Sequence, residues 1–264
     1  MTLAERPVAP CLSVRGAFLR LWVLGLAGAA AAALEPLPAN LVAGPGLSEL
    51  GIRLITLANT AIVLAALVGV GAIAAREVGL HSLIARRVHP RHLPSGHAFH
   101  WVQAAVLLGA AAFLAQWLFD RWFWQSLPQP RFQLLREAVE TSGTSQLMGA
   151  LLHAINEELM LRWGLMSGLL WVLVLLFRRA PGRPGAALAW TAIVGASLLS
   201  LAGQLPSLLH VMASDPAGIL LARAAAASAA TGIIYGWLFW KHGLEAAMLA
   251  HVTAQAGLLA AASL

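Results

Sequence analysis

The chain has 264 residues, of which 59% are hydrophobic and only 11% are charged. Soluble domains carry about 25% charged residues, so the composition excludes a compact domain surrounded by water. The formal net charge of +6 invites a nucleic-acid partner, but the basic residues sit beside apolar runs and form no continuous patch. That excludes nucleic acid and makes the lipid bilayer the surrounding partner.

In chain order, residues 1–16 form a short segment with Arg6, Arg15 and the single cysteine, Cys11, which has no partner for an internal disulfide. This segment is expected in the cytoplasm. The first apolar run, 17–34, lacks a following polar cleavage region and reads as a span, not a signal peptide. A Pro/Gly loop at 35–49 leads to a second span at 54–75, then to the most polar stretch, 76–97. A third span ends near Phe119, where Trp117, Trp122 and Trp124 suit a membrane interface. A short amphipathic piece follows at 131–140. The next run, 144–177, would extend about 50 Å as one helix, which predicts a tilted helix or a break near Gly164 or Gly168. Further spans are expected at 186–202, 217–239 and 244–262, the first followed by Pro206 and a short stretch with His210.

Runs of this length cross a bilayer as helices, and their unbroken apolar character excludes a β-barrel's alternation. The predicted fold is all-α: a polytopic membrane helical bundle, one domain over 17–264, with about seven to eight transmembrane helices. On seven spans, one side collects Arg6, Arg15, Arg20, Arg76, Arg86, Arg87, Arg91, Arg178, Arg179, Arg183 and Lys241. The other collects Arg53, Arg121, Arg131, Arg136 and Arg223. This bias places the N-terminus in the cytoplasm of a cell-membrane protein.

The chemistry concentrates in "LLHAINEELMLRWGLM". Charges in the middle of an apolar helix are costly and usually line an internal cavity. Glu158 and Arg162, four residues apart, share a helix face and can pair. Glu157 points about 100° away, with His153 one turn behind it. One carboxylate can then be an ion-pair partner while its neighbour is free for proton transfer. Three readings are open: a structural ion pair, a transport or proton-relay path, and a catalytic site. The last span adds His251 and Gln255, one turn apart. Glu245 begins that span, where a carboxylate favours the free N–H groups of a helix start. His89, His92, His97 and His100 make a histidine cluster without an acidic member, read as a basic loop meeting anionic headgroups.

These motifs resemble the CAAX-protease and bacteriocin-processing (CPBP) family of intramembrane endopeptidases, and "GWLFWKHGLEAAMLAHVTAQ" is similar to its bacterial members. The likeness covers about residues 142–257. Its paired glutamates and arginine correspond to Glu157, Glu158 and Arg162. The phenylalanine and histidine of its second motif fall on Ser200 and Gln204, and the third motif's histidine and asparagine on His251 and Gln255. The resemblance implies a metal-dependent endopeptidase acting on membrane proteins or peptides. Glu157 would activate water, Glu158 and Arg162 would orient it or the substrate, and Gln255 would support the oxyanion or His251. A divalent metal such as zinc would draw on His251, Gln204 and Glu157. Gln204 departs from the pattern, because an amide is a far weaker ligand than imidazole. His210 and His153 are its conceivable replacements, and Ser228 stands where relatives carry a polar asparagine. The alternative is a non-catalytic membrane scaffold or chaperone derived from the family.

Overall fold

The computed structural model describes residues 13–34, 46, 48–85, 98–125, 145–179, 184–212 and 219–262. Cys11, His89, His92, His97, the stretch 131–140 and the side chains of Trp124, Gln204, His210 and Arg223 lie outside the described residues.

Within these limits the chain is helical throughout. The elements are α1 (Val14–Leu34), α2 (Glu49–Glu77), α3 (Ala98–Gln125), α4 (Ser145–Glu158), a π-helical segment (Leu159–Met166), α5 (Ser167–Leu176), α6 (Ala186–Met212), α7 (Ile219–His242) and α8 (Leu244–Ala262). Since α4, the π segment and α5 run on without interruption, the described residues form seven rods. Six of them are long and apolar enough to cross a membrane, and α7, at 24 residues, spans roughly 36 Å at 1.5 Å per residue. This is a multi-pass helical membrane protein.

Local chemistry sets several boundaries. Ser48 caps α2, its Oγ accepting from Gly51 N at 3.1 Å, and Glu49 pairs with Arg53 at 2.7 Å one turn on. Gly243, at φ +98°, makes the one-residue turn between α7 and α8, a conformation that a β-carbon would oppose. Of the two alternatives for the long element, the break at Gly164 or Gly168 does not occur: the helix runs on and widens into a π-helix that contains Gly164. Helix α6 does not end at 202 but continues through Pro206 to Met212, at the cost of the bond that proline cannot donate to the preceding turn.

Contacts at their ends fix the helix directions. Arg53 Nη1 donates to Ala33 O and Arg20 Nη1 to Ile84 O at 3.4 Å, so α1 and α2 are antiparallel. Leu244 N donates to His81 O at 3.1 Å, which brings the α7–α8 turn to the same end as Arg20 and Arg76. The π segment sits against α2, where a β-carbon on Gly71 would overlap the Trp163 carbonyl. Lipid tails give helices no hydrophobic drive to associate, so such close approach of backbones supplies the packing energy.

Candidate active site

Glu157 and Glu158 end α4, and the helical twist sends them in different directions. Glu158 is fully buried, while the Glu157 side chain is 37% exposed. Arg162 Nε lies 3.4 Å from Glu158 Oε2, and His251 Nδ1 lies 2.9 Å from Glu158 Oε1. The ion pair expected from the four-residue spacing is therefore present, and His251 of α8 joins it. A buried carboxylate between a guanidinium and an imidazole is compensated in a way that a lone one is not.

Glu158 also orients the imidazole. An ionised carboxylate at Nδ1 favours the tautomer with its proton there, which leaves Nε2 directed toward Glu157, 3.5 Å from Oε2. On the other side, His153 Nε2 lies 3.5 Å from Glu157 Oε1, as the one-turn spacing predicted. Glu157 is thus a partly exposed carboxylate flanked by two imidazoles, beside a buried charge network.

These groups border a cavity of about 170 Å3, walled by Glu157 of α4, Arg162 of the π segment, His251 and Gln255 of α8, and by residues of α3, α6 and α7. Ser200, at the second motif's phenylalanine position, and Ser228, where relatives carry an asparagine, face it from α6 and α7. The structure thus brings together Glu157, Glu158, Arg162, His251 and Gln255. Gln204 is placed only by its backbone in α6, and His100 is exposed at the start of α3. Glu245 stands in the first turn of α8 as expected, and its Oε1 also accepts from Ser82 Oγ at 2.6 Å and from Ile84 N at 2.9 Å. Those donors tie the start of α8 to the segment that follows α2, away from the cavity.

Sequence reasoning missed Tyr235, Ser197, Thr231 and Gln116, all of which line the cavity. Tyr235 stacks on the His251 ring with centroids 4.8 Å apart and planes at 24°. Its buried hydroxyl has no hydrogen-bond partner among the described residues. The available signal was that it is the chain's single tyrosine, set in an otherwise apolar helix.

The donor set tests the metal expectation. Catalytic zinc usually takes three protein ligands. Among the described residues no group of three or more His, Cys, Asp or Glu side chains converges on one point. Of the expected ligands, His251 and Glu157 border the cavity, and the Gln204 side chain lies outside the described residues.

Residues 140–257 match the family model of type II CAAX prenyl endopeptidase Rce1-like proteins. No curated protein and no solved structure matches the chain at a significant level. The matched stretch contains Glu157, Glu158, Arg162, His251 and Gln255, and with them the α6 and α7 walls of the cavity. Over this domain the chain is similar to the CAAX-protease and bacteriocin-processing family of membrane proteins.

Proposed function

We propose that the chain is an intramembrane endopeptidase, with Glu157 as the base that activates water against a peptide bond of a membrane-associated protein. The observation carrying this reading is the division of labour between adjacent carboxylates. Glu158 is fully buried with Arg162 and His251, whereas Glu157 stands partly exposed at the cavity between two imidazoles. A structural ion pair needs one carboxylate. The second is then available for proton transfer.

In the proposed reaction, a water held by Glu157 and His251 Nε2 gives a proton to the Glu157 carboxylate as its oxygen bonds to the carbonyl carbon. The C=O π electrons move to oxygen, and the new negative charge is offset by the nearby Arg162 cation and by the Gln255 amide as donor. Glu157 then returns its proton to the amide nitrogen as the C–N bond breaks, leaving a carboxylic acid and an amine. General base catalysis of this kind contributes about 10²–10⁴-fold, and a water-poor surrounding strengthens each charge interaction.

The second reading, a scaffold, is favoured by the burial of the Glu158–Arg162–His251 network, which would join α4 to α8 in any member of the fold. The test is cleavage of a panel of membrane peptides by purified parent, Glu157→Ala and Gln204→His proteins in lipid, with bound metal quantified in each. The expected result is parental cleavage that falls at least about 10²-fold in Glu157→Ala with folding retained. Parental cleavage indifferent to Glu157→Ala overturns the mechanism. Silence of parent and Glu157→Ala alike, with activity or metal gained in Gln204→His, identifies a scaffold of protease descent.

A further inference from the structure

Water activation by Glu157 makes no use of Tyr235, the chain's single tyrosine, although it lines the same cavity from α7. Close packing fixes its position. A β-carbon on Gly236 would sit 2.8 Å from Ile193 Cγ2, and one on Gly232 would overlap Ser197 Oγ, so α7 lies hard against α6 on either side of the tyrosine. The phenol ring stacks on the His251 imidazole at 4.8 Å and is buried, with 1% of the residue exposed. Its hydroxyl has no hydrogen-bond partner among the described residues, which is costly for a buried donor. Groups around it are engaged elsewhere. Glu158 is held by Arg162 and His251, while Ser197 and Thr231 on the cavity walls donate to the Ile193 and Ala227 carbonyls at 2.9 and 2.8 Å. Phenylalanine would serve equally well for the stack alone. The hydroxyl calls for an acceptor that enters the cavity.

We infer, resting on the peptidase reading, that Tyr235 is a catalytic residue: its hydroxyl donates to the oxyanion, beside Arg162 and Gln255. The attacking water lies between Glu157 and His251 Nε2, so the carbonyl group that it joins comes to the edge of the His251 ring, and Tyr235 lies against that ring. As the C=O π electrons move to oxygen, the Tyr235 O–H donates a hydrogen bond to that oxygen and keeps its own proton throughout. The bond strengthens as the charge grows and relaxes when the C–N bond breaks and the carbonyl re-forms. A donor of this kind favours the transition state over the bound peptide. Arg162 offers charge, but it is shared with Glu158 at 3.4 Å. The phenol offers a directed O–H with no counter-ion to leave, and a fixed dipole in a water-poor site needs no reorganisation when charge develops.

The test is Tyr235→Phe, which keeps the stack and removes only the hydroxyl. In lipid, kcat for a cleaved membrane peptide is expected to fall about 10²–10³-fold, the loss that follows removal of one oxyanion donor. KM should change little, and the thermal midpoint should be equal or higher. A phosphinate analogue of that peptide presents a charged tetrahedral oxygen and resists cleavage. It should bind Tyr235→Phe more weakly than the parent by a similar factor. A purely structural tyrosine would move the midpoint and KM instead. As a direct readout, 3-fluorotyrosine supplied in place of tyrosine labels position 235 alone, and its fluorine resonance should shift when the phosphinate binds. Unchanged kcat in Tyr235→Phe, equal phosphinate affinity in the two proteins, an unmoved resonance, or a rise in KM at constant kcat each overturns the oxyanion role while the peptidase reading stands. A parent that cleaves no peptide removes the peptidase reading, and the oxyanion role falls with it.

Discussion

Glu158 is where the energetics of single residues matter most, since its carboxylate has no water to return to when a partner is lost. Breaking a buried pair costs about 3–5 kcal/mol, because the remaining charge stays unpaired. Arg162→Ala is therefore expected to lower the thermal midpoint in detergent well below that of Arg178→Ala, since Arg178 lies exposed at the end of α5. Equal midpoints would argue against the pairing at 3.4 Å. Glu157→Ala should leave stability nearly unchanged, because its carboxylate is partly exposed. The Glu158–Arg162 pair was legible in the sequence because both residues lie on one helix, where a four-residue spacing implies contact. The Glu158–His251 bond and the stacking of Tyr235 on His251 were not. They join different helices, and no spacing along the chain encodes which faces of α4, α7 and α8 meet. Glu245 was legible only in part for the same reason: its position at a helix start was visible, but its donors Ser82 and Ile84 lie 163 and 161 positions away.

Among the elements, the π segment does most to shape the site. It follows directly on the glutamate pair and carries Arg162 and Trp163 inward, both buried. Ser167 Oγ donates to Arg162 O at 3.3 Å, five residues back, meeting a carbonyl that the widened turn presents differently from an α-helix. Trp163 Nε1 donates to Val68 O at 3.3 Å, so α2 braces the segment directly. This bracing predicts opposite outcomes for one substitution at two glycines. In Gly71→Ala the new methyl would overlap the Trp163 carbonyl; backbone cannot swing aside as a side chain can, and overpacking of this kind costs about 1–3 kcal/mol. Gly203→Ala on α6 meets nothing within 4 Å among the described residues and should be neutral or stabilising by up to about 1 kcal/mol, the helix-propensity difference. Thermal unfolding of both variants in detergent checks this, and a Gly71→Ala protein as stable as its parent would show that α2 does not brace the π segment. The apolar runs made the spans readable, because composition alone decides what a bilayer accepts. The π-helix and the passage of α6 through Pro206 were hidden, since both depend on neighbours that compensate for irregular backbone.

On the scale of the whole molecule, seven rods in alternation place Val14 of α1 and Ala262 of α8 on opposite faces and gather charge on one. The contacts of Arg20 with Ile84 and of Leu244 with His81 put the start of α1, the end of α2 and the α7–α8 turn on the same face. Arg15, Arg20, Arg76 and Lys241 lie there, and parity adds Arg178 and Arg179 at the end of α5. Lys241 stands 3.7 Å from the Trp240 ring centroid, and Trp240 meets Trp190 edge-on at 6.3 Å, a grouping suited to an interface where aromatic rings and cationic tips sit together. The opposite face carries Arg53 near the start of α2 and Arg121 near the end of α3. Because basic residues near spans are retained on the cytoplasmic side, the face with Arg76 and Lys241 is proposed to be cytoplasmic, with the N-terminus beside it. Single cysteines introduced at Arg15, Glu77 and His242 in a Cys11→Ser background should all resist a membrane-impermeant thiol reagent in intact cells and react after permeabilisation. A cysteine at Glu49 should react in intact cells, since α2 begins on the other face. Divergence among the first three would break the seven-rod alternation itself, whereas a uniform reversal of all four would leave the fold intact and invert its orientation.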